Sequence, residues 1–363
     1  MKQYSYLIKP ASSLCNLECK YCFYHDVSSH RKEASNGIMS DSTMRMLIEK
    51  ACQVSDASEI IFAFQGGEPT IAGLGYFRKF LEIVDQRKSK EQIIRYSIQT
   101  NGTLLDDEWY GFLKRHRFLV GISLDGYKEN HDYFRMGHLY QPTFKTVMET
   151  ITKLREYNIE FNILTVLSNS LAKHPEKLYR FYKENNFRYI QLIPCLPKMN
   201  FEEDGFSLKP KLFASFYKKF YSSWLLDFNK QQYISVTLFD DLIPMFRGIA
   251  PSQCGMLGFC KVQNIVESDG SIYPCDFYVL DEYRNGNINT DSVQSIQSSA
   301  ANEVFIHEMK RTTSQCETCE FIKLCHGNCK RLNICYFDED YCGYRDFLEF
   351  AYPSMIKISA RIK

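Results

Sequence analysis

The feature that most constrains the fold is a regular alternation of short apolar segments with helical segments along the first 200 residues. Strand-like segments lie at 4–10, 59–65, 93–99, 118–124, 160–167 and 189–194, and helical patterns lie at 41–53, 74–88, 106–115, 143–157 and 174–185. Strands that alternate with helices favour right-handed crossovers and a parallel sheet. Because six such strands fall short of the eight of a closed barrel, we predict an α/β fold with an open, partial (β/α)6 TIM-like barrel.

The character of the chain changes after the sixth strand. A polar, proline-containing segment at 197–210 is followed by a helical pattern at 211–228, and the chain after residue 250 is rich in cysteine and loops. We therefore predict three parts. They are a barrel at 1–200, a connecting helical segment at 201–250, and a metal-organised domain with a C-terminal helix at 251–363.

Charge and hydropathy argue against several classes of partner. With 44 basic and 43 acidic residues the net charge is +1, so no basic excess directs the chain to nucleic acid or to an anionic membrane. The first residues lack the apolar run of a signal peptide, and no run approaches the ~20 apolar residues that a membrane-spanning helix needs. We expect a cytoplasmic protein that binds neither nucleic acid nor membrane.

The chain has fourteen cysteines, three at residues 15–22 and nine at 254–342. In a reducing cytosol, metal binding or redox chemistry explains them better than structural disulfides. The first group, Cys15, Cys19 and Cys22, directly follows the first predicted strand. An iron–sulfur cubane is usually held by four thiolates, so three can hold three irons and leave the fourth open. A zinc knuckle or incidental thiols are the alternative.

Polar segments also follow the next three predicted strands. GGEP (66–69) follows the second, QTN (99–101) the third and SLDG (123–126) the fourth. In sheets of this kind, catalytic and binding groups lie beyond the carboxyl ends of the strands. The paired glycines of GGEP would let backbone groups approach a ligand closely, although a simple strand-to-helix turn would also use them.

The spacing C-x3-C-x2-C in CNLECKYCFY, together with GGEP, resembles the signature of the radical S-adenosylmethionine (SAM) enzymes. The resemblance implies that SAM chelates the open iron of a [4Fe–4S] cluster and is cleaved to a 5′-deoxyadenosyl radical. It further implies SAM contacts from five residues, Tyr21, Gly67, Ser123, Arg135 and Leu196. Taken singly, Arg135 could equally be a surface ion-pair partner, and Leu196 could be a plain packing residue.

The second group of cysteines contains a C-x2-C-x5-C-x3-C run, CETCEFIKLCHGNC, which is preceded by GSIYPC. This pattern resembles the SPASM extension of radical SAM peptide-modifying enzymes, which binds two auxiliary [4Fe–4S] clusters. By that resemblance the first auxiliary cluster has the ligands Cys254, Cys260, Cys275 and Cys329, and the second has Cys316, Cys319, Cys325 and Cys342. Cys335 could replace Cys342 as the last ligand. Zinc sites of the ribbon type use paired C-x2-C units, and this second group contains only one such unit, so zinc is disfavoured.

Longer segments resemble one family of SPASM enzymes, the anaerobic sulfatase-maturating enzymes. The matching segments are LIKPASSLCNLECKYCFYH, FAFQGGEPTIAGL, SIQTNGTLLDDEW, FLVGISLDG and VESDGSIYPCDFYVLDEYRNGNI. The resemblance implies a radical SAM oxidoreductase that converts a Cys or Ser side chain of a sulfatase polypeptide, in a Cys/Ser-x-Pro-x-Arg sequence, to Cα-formylglycine. It implies three [4Fe–4S] clusters and SAM as cofactors, and a flavodoxin- or ferredoxin-like electron donor.

Within this resemblance Asp276, next to Cys275 in YPCDFY, matches the family's proposed catalytic base. A carboxylate there would accept the proton released from the substrate thiol or hydroxyl. A structural role in capping backbone donors is the alternative, and Asp281 is a competing carboxylate. Tyr24 and the QTN segment are expected to line the substrate cavity.

Two other functions fit parts of the pattern. Another SPASM enzyme would act on a different peptide, forming a thioether cross-link or an epimer. Such enzymes often carry an N-terminal peptide-binding segment, for which the chain before Cys15 is too short. An iron–sulfur electron carrier needs neither an open iron nor GGEP, so we expect the maturase function.

Overall fold

The computed structural model describes residues 2–54, 58–200, 202 and 204–361. The chain forms two compact units, each assembled from three separate segments. The first unit comprises Met1–Ser123, Arg135–Phe161 and Lys261–His307, and the second comprises Leu124–Phe134, Asn162–Cys260 and Glu308–Lys363. The division into parts at 1–200, 201–250 and 251–363 stays a prediction.

Strands and helices occur along the whole described chain. The strands are β1 Lys2–Ile8, β2 Ser58–Phe64, β3 Ile93–Thr100, β4 Leu119–Ser123, β5 Phe161–Leu167, β6 Tyr189–Pro194, β7 Ser235–Val236, β8 Asn264–Val266, β9 Ser271–Tyr273 and β10 Gly286–Asn287. The α-helices are α1 Phe23–Ser29, α2 Asp41–Cys52, α3 Gly73–Arg87, α4 Asp107–Arg115, α5 Lys128–Phe134, α6 Phe144–Glu156, α7 Asn169–Ala172, α8 Pro175–Glu184, α9 Pro210–Asn229, α10 Thr237–Met245, α11 Val293–Gln297, α12 Ala300–His307, α13 Ser314–Glu317, α14 Ile322–Cys325 and α15 Gly343–Ser359.

The sheet of the first unit has its strands in the order β10-β9-β8-β1-β2-β3-β4. Strands β1 to β4 run parallel, with Ile8 of β1 opposite Phe64 of β2. Strand β8 is parallel to β1 on its other side, where Ile8 also pairs with Val266. Strands β9 and β10 continue the sheet in antiparallel fashion. The carboxyl ends of β8, β1 and β2 therefore lie side by side, where parallel sheets collect their binding groups.

Aromatic side chains fill the core between this sheet and α3. Phe64 of β2 is buried and packs edge-on against Phe77 and Phe80, with ring-centroid distances of 4.9 and 5.0 Å. The buried residues of α3 recur at the three- and four-residue spacing of one helix face. Burial of each phenylalanine side chain contributes about 1.5–3 kcal/mol to the stability of the folded state. This packing fixes β2 and so the position at which the GGEP segment leaves it.

In the second unit, three parallel strands lie in the order β5-β6-β7. Helix α9 is buried on several faces because it packs against both α8 and α15. Its Trp224 is buried and donates a hydrogen bond from Nε1 to the carbonyl oxygen of Ile234 at 2.8 Å. A buried indole N–H needs such a partner. This contact joins the C-terminal part of α9 to the segment that forms β7.

The six predicted strands are present, four in the first unit and two in the second, and each starts and ends within two residues of its predicted bounds. Strands β8, β9 and β10 lie where the sequence indicated loops. At two or three residues each, they are too short to show an alternating pattern. Across the described residues we find no helix whose length and apolar character would suit a membrane span.

Candidate active site

The three-cysteine loop follows the carboxyl end of β1 and leads into α1. Cys22 is the N-cap of α1, and its sulfur accepts a hydrogen bond from the backbone N–H of His25 at 3.4 Å. The sulfur of Cys15 accepts one from the N–H of Leu17, also at 3.4 Å. Burial raises the pKa of the Cys15 thiol to about 11, so its thiolate needs a compensating positive charge such as iron. Backbone donors aimed at sulfur fit the thiolates of an iron–sulfur cluster.

The GGEP segment lies directly against this loop. The N–H of Gly67 donates to the carbonyl oxygen of Ser12 at 2.9 Å, and the N–H of Glu68 donates to that of Leu14 at 2.8 Å. A Cβ on Gly67 would lie 2.1 Å from the Leu14 oxygen. Glycine is therefore required here by the close approach of the protein's own backbone. Its contact with the SAM amino group stays a prediction.

A buried carboxylate, Glu68, connects GGEP to the QTN segment. It is 1% exposed and accepts hydrogen bonds from Asn101 N–H and from the hydroxyls of Thr70 and Thr100, each at 2.7 Å. Burial raises the pKa of Glu68 despite these bonds. The side chain of Asn101 donates in turn to Asn16 of the cysteine loop at 2.9 Å. The QTN segment thus supports the loop, whereas its predicted place in the substrate cavity stays a prediction.

Arg135 lies beside the cysteine loop. The segment after it pairs with the loop, because Glu18 N–H donates to the carbonyl of Met136 at 2.8 Å. The guanidinium carbon of Arg135 lies 5.6 Å from the centre of the Tyr21 ring. Two residues expected to contact SAM are thus neighbours, and Ser123, at the end of β4, is buried in the same unit. Leu196, which follows β6, is buried in the second unit.

Asp276 is held by two residues that directly follow neighbouring strands. Its Oδ1 forms an ion pair with Lys9 Nζ at 2.5 Å, and its Oδ2 accepts a hydrogen bond from Gln65 Nε2 at 2.9 Å. Lys9 follows β1 and Gln65 follows β2. The competing carboxylate, Asp281, is exposed and accepts a hydrogen bond from the N–H of Lys32. Of the two carboxylates, only Asp276 is held where the strands end.

Next to this pair lies Tyr24, which is 2% exposed. Lys9 Nζ lies 3.7 Å from the centre of its ring, and the hydroxyl donates to Glu267. Arg31 donates to the same carboxylate at 2.7 Å. Burial by itself raises the pKa of Glu267, but the Arg31 charge and the hydrogen bonds from Arg31 and Tyr24 outweigh it and hold that pKa below its usual value. Tyr24 was expected in the substrate cavity, and this stays a prediction.

Sequence reasoning did not single out Lys9, Gln65 or Glu267. Each is the first residue after a parallel strand, β1, β2 and β8 respectively. The strand register sets these three residues in a row, because Ile8 pairs with both Phe64 and Val266 one position earlier. A polar residue directly after a buried parallel strand was the signal that would have found the first two.

The second unit contains a cavity lined by four thiols. Its lining includes the four cysteines Cys316, Cys319, Cys325 and Cys342, together with apolar residues such as Phe321, Ile322, Phe337 and Leu348. Burial raises the pKa of the Cys325 thiol to about 11. Four thiols that line one cavity fit a fully ligated iron–sulfur cluster. Cys335 is outside this lining, since it is fully buried and its thiol donates to the carbonyl of Cys195 at 3.5 Å.

Three of the four cysteines expected for the other auxiliary cluster belong to the second unit. A Cβ on Gly255 would lie 2.9 Å from the Cβ of Cys329, which brings Cys254 and Cys329 together. Burial and the neighbouring thiols of Cys329 and Cys260 raise the pKa of Cys254. Cys275 belongs to the first unit. Among the described residues, no group of three or more His, Cys, Asp or Glu side chains has the arrangement of a site for one metal ion.

Two family models match the chain. The model of the radical SAM superfamily matches residues 10–182, and that of the SPASM iron–sulfur cluster-binding domain matches residues 259–320. Together with the largely parallel α/β sheet and the thiol-lined sites, these matches define a radical SAM enzyme with a SPASM extension. The predicted fold class, the enzyme class and the cofactors, [4Fe–4S] clusters and SAM, are confirmed.

Individual relatives narrow this class. A cysteine-type anaerobic sulfatase-maturating enzyme from Clostridium perfringens is 40% identical over 372 residues, covering 100% of both chains. A serine-type anaerobic sulfatase-maturating enzyme from Bacteroides thetaiotaomicron is 29% identical, with 90% of this chain and 82% of that one covered. The solved structure of native anSMEcpe with bound AdoMet has a TM-score of 0.92 at 39% identity, covering 99% of this chain and 100% of that one. The chain belongs to the anaerobic sulfatase-maturating enzymes.

Proposed function

We propose that the protein oxidises a Cys side chain, or alternatively a Ser side chain, of a sulfatase polypeptide to Cα-formylglycine. The 40% identity to a cysteine-type enzyme, against 29% to a serine-type enzyme, favours Cys. A solved structure of anSMEcpe with bound AdoMet and Kp18Cys peptide, with a TM-score of 0.91, supports a peptide substrate. The observation that carries the proposal is the Asp276 carboxylate, held by Lys9 and Gln65 in the same unit as the three-cysteine loop.

The chemistry divides between the cofactors and the residues of the chain. When bound, the N-terminal cluster with SAM supplies the radical that removes a hydrogen atom from the substrate Cβ, and an auxiliary cluster takes up the electron released afterwards. Asp276 accepts the proton of the substrate thiol. Loss of that proton and one electron turns the carbon–sulfur single bond into a double bond. Water then replaces the sulfur, which leaves as hydrogen sulfide, and the aldehyde remains. General base catalysis of this kind is worth ~10²–10⁴ in rate.

The ligands of the clusters form part of the proposal. Cys15, Cys19 and Cys22 hold the N-terminal cluster, and the backbone N–H donors to the sulfur atoms of Cys15 and Cys22 support this assignment. The other ligand sets are Cys254, Cys260, Cys275 and Cys329 for the first auxiliary cluster and Cys316, Cys319, Cys325 and Cys342 for the second. The thiol-lined cavity supports the last set, with Cys342 rather than Cys335 as its final member.

The remaining assignments concern SAM and the setting of the reaction. Tyr21, Gly67, Ser123, Arg135 and Leu196 contact SAM, and a flavodoxin- or ferredoxin-like protein donates electrons. The reaction takes place in the cytoplasm. The short distance between Tyr21 and Arg135 supports the assignment of these residues as SAM contacts.

The test is an anaerobic reaction of the protein with SAM, a reductant and a peptide containing Cys-x-Pro-x-Arg. We expect mass spectrometry to show loss of the thiol sulfur and gain of an aldehyde, together with release of 5′-deoxyadenosine. Asp276→Asn should keep its iron and its SAM cleavage while aldehyde formation drops by ~10² or more. Asp281→Asn is the matched control and should behave as the wild type. Wild-type aldehyde yield from Asp276→Asn would remove this residue from the reaction.

A further inference from the structure

Lys9 is a fully buried lysine, with 0% of its side chain exposed. A buried ammonium is costly unless it is paired, so its partners indicate why it is there. Its Nζ pairs with Asp276 Oδ1 at 2.5 Å and lies 3.7 Å from the centre of the Tyr24 ring. The carboxylate of Asp276 keeps 14% exposure, so it is the accessible end of the pair.

Three features fix the lysine stem and its charge. A Cβ on Gly66 would lie 2.9 Å from the Ser12 carbonyl oxygen and 3.2 and 3.3 Å from Cβ and Cγ of Lys9, so the backbone of this glycine packs closely against the lysine stem. The ring of Tyr24 faces the ammonium, a favourable cation–π arrangement. The Tyr24 hydroxyl is itself held by Glu267, whose charge is paired with Arg31. Lys9 therefore has little freedom to turn away from Asp276.

We propose that Lys9 is a positioning residue that, together with Gln65, fixes the Asp276 carboxylate for proton abstraction. This inference rests on the proposed function. Lys9 binds one carboxylate oxygen and Gln65 binds the other, and the strand register sets both residues at one level of the sheet. Each oxygen keeps one lone pair for the substrate proton. Because Lys9 is fully buried, it acts through Asp276 rather than on the substrate.

The experiment uses Lys9→Met, which keeps the stem and removes the charge, in the full-length holoenzyme with the Cys-x-Pro-x-Arg peptide. We expect aldehyde formation to fall at least tenfold while 5′-deoxyadenosine release stays within twofold of the wild type. Iron per chain and the visible absorption spectrum should be unchanged. In a crystal structure of the variant, Asp276 Oδ1 should have left its wild-type position. Lys79→Met, which removes an exposed lysine paired with Asp41, is the control and should change none of these quantities.

A double variant separates positioning from an independent effect. If Lys9 acts through Asp276, Lys9→Met combined with Asp276→Asn is no slower in aldehyde formation than Asp276→Asn alone. Multiplied losses in the double variant would overturn the inference. So would a Lys9→Met variant that makes wild-type amounts of aldehyde for each 5′-deoxyadenosine.

A conservative variant covers the case in which Lys9→Met loses its iron. Lys9→Arg keeps a cation and hydrogen-bond donors, and it should retain at least half of the wild-type ratio of aldehyde to 5′-deoxyadenosine. A Lys9→Arg variant with full iron content and a tenfold lower ratio would argue against the inference. If the wild-type protein makes no aldehyde, the proposed function itself is wrong. If Lys9→Met makes as much aldehyde for each 5′-deoxyadenosine as the wild type does, only the proposed role of Lys9 is wrong.

Discussion

The backbone of Gly67 approaches Leu14 so closely that a Cβ on the glycine would lie 2.1 Å from the Leu14 carbonyl oxygen. The contact presses the GGEP segment against the three-cysteine loop, and two backbone hydrogen bonds from Gly67 and Glu68 hold it there. Any side chain at this position must move one backbone segment away from the other.

Gly67→Ala should therefore weaken SAM binding at least tenfold and lower the free energy of unfolding by about 1–3 kcal/mol, the usual range for overpacking. Calorimetric titration with SAM and urea unfolding measure the two effects. Gly111→Ala is the control, because a Cβ on this exposed glycine of α4 meets no atom within 4 Å. It should stabilise the protein by about 0.5–1 kcal/mol. Unchanged SAM affinity in Gly67→Ala would contradict the expected role of this contact.

Iron analysis distinguishes Cys342 from Cys335. Cys342 lines the thiol-lined cavity, whereas Cys335 is buried with its thiol on a carbonyl oxygen. Three [4Fe–4S] clusters correspond to ~12 irons per chain. We expect Cys342→Ala to lose up to ~4 of them, because a missing thiolate destabilises one cluster. Cys335→Ser, whose hydroxyl can make the same hydrogen bond, should keep them all. The reverse result would make Cys335 the ligand.

Replacing Glu267 by Gln should destabilise the protein strongly. The Arg31 and Glu267 side chains are 2% and 0% exposed, so the neutral amide leaves a buried guanidinium without its counter-charge. Removing one partner of a buried pair costs about 3–5 kcal/mol. Urea unfolding measures the loss. Glu108→Gln breaks the exposed pair with Arg78 and should have no measurable effect. Equal urea-unfolding midpoints for Glu267→Gln and Glu108→Gln would show that Glu267 is not needed to stabilise the buried charge of Arg31.

The same pair predicts a definite dependence on pH. Because the pKa of Glu267 is lowered on folding, its ionisation stabilises the native state fully above the unfolded-chain pKa of about 4.3. Below that pH the unfolded chain binds the proton first, so the contribution falls progressively and is gone once the pH has passed the still lower folded-state pKa. The difference in unfolding free energy between wild type and Glu267→Gln should thus stay constant from about pH 8 to about pH 5. A difference that shrinks steadily across this range would contradict the lowered pKa.

The local parts of the site could be predicted from sequence, and the long-range parts could not. The spacing of Cys15, Cys19 and Cys22 within one loop is a short-range pattern, so their association is visible in the sequence. The ion pair of Lys9 with Asp276 joins residues 267 positions apart. It depends on the pairing of β1 with β8, a strand of only three residues, and no local pattern predicts that pairing.

The strand–helix alternation could be predicted more completely, because each strand from β1 to β6 has five or more residues and contains several apolar side chains. Such segments are recognisable one by one. The burial of Glu68 could not be predicted for a different reason. A glutamate in a turn has the composition of a surface residue, and only the four donors that the structure gathers around it reveal why it is buried.

The parallel pairing of β8 with β1 also has a consequence for synthesis on the ribosome. The outer edge of β1 receives its partner only when residues 264–266 have been translated. At ~5–20 residues per second, the nascent chain carries this strand unpaired on one side for roughly 10 to 50 seconds. Exposed strand edges recruit other chains. During that interval, the unpaired edge of β1 is available to other chains, and it directly precedes the loop that holds the three N-terminal cysteines.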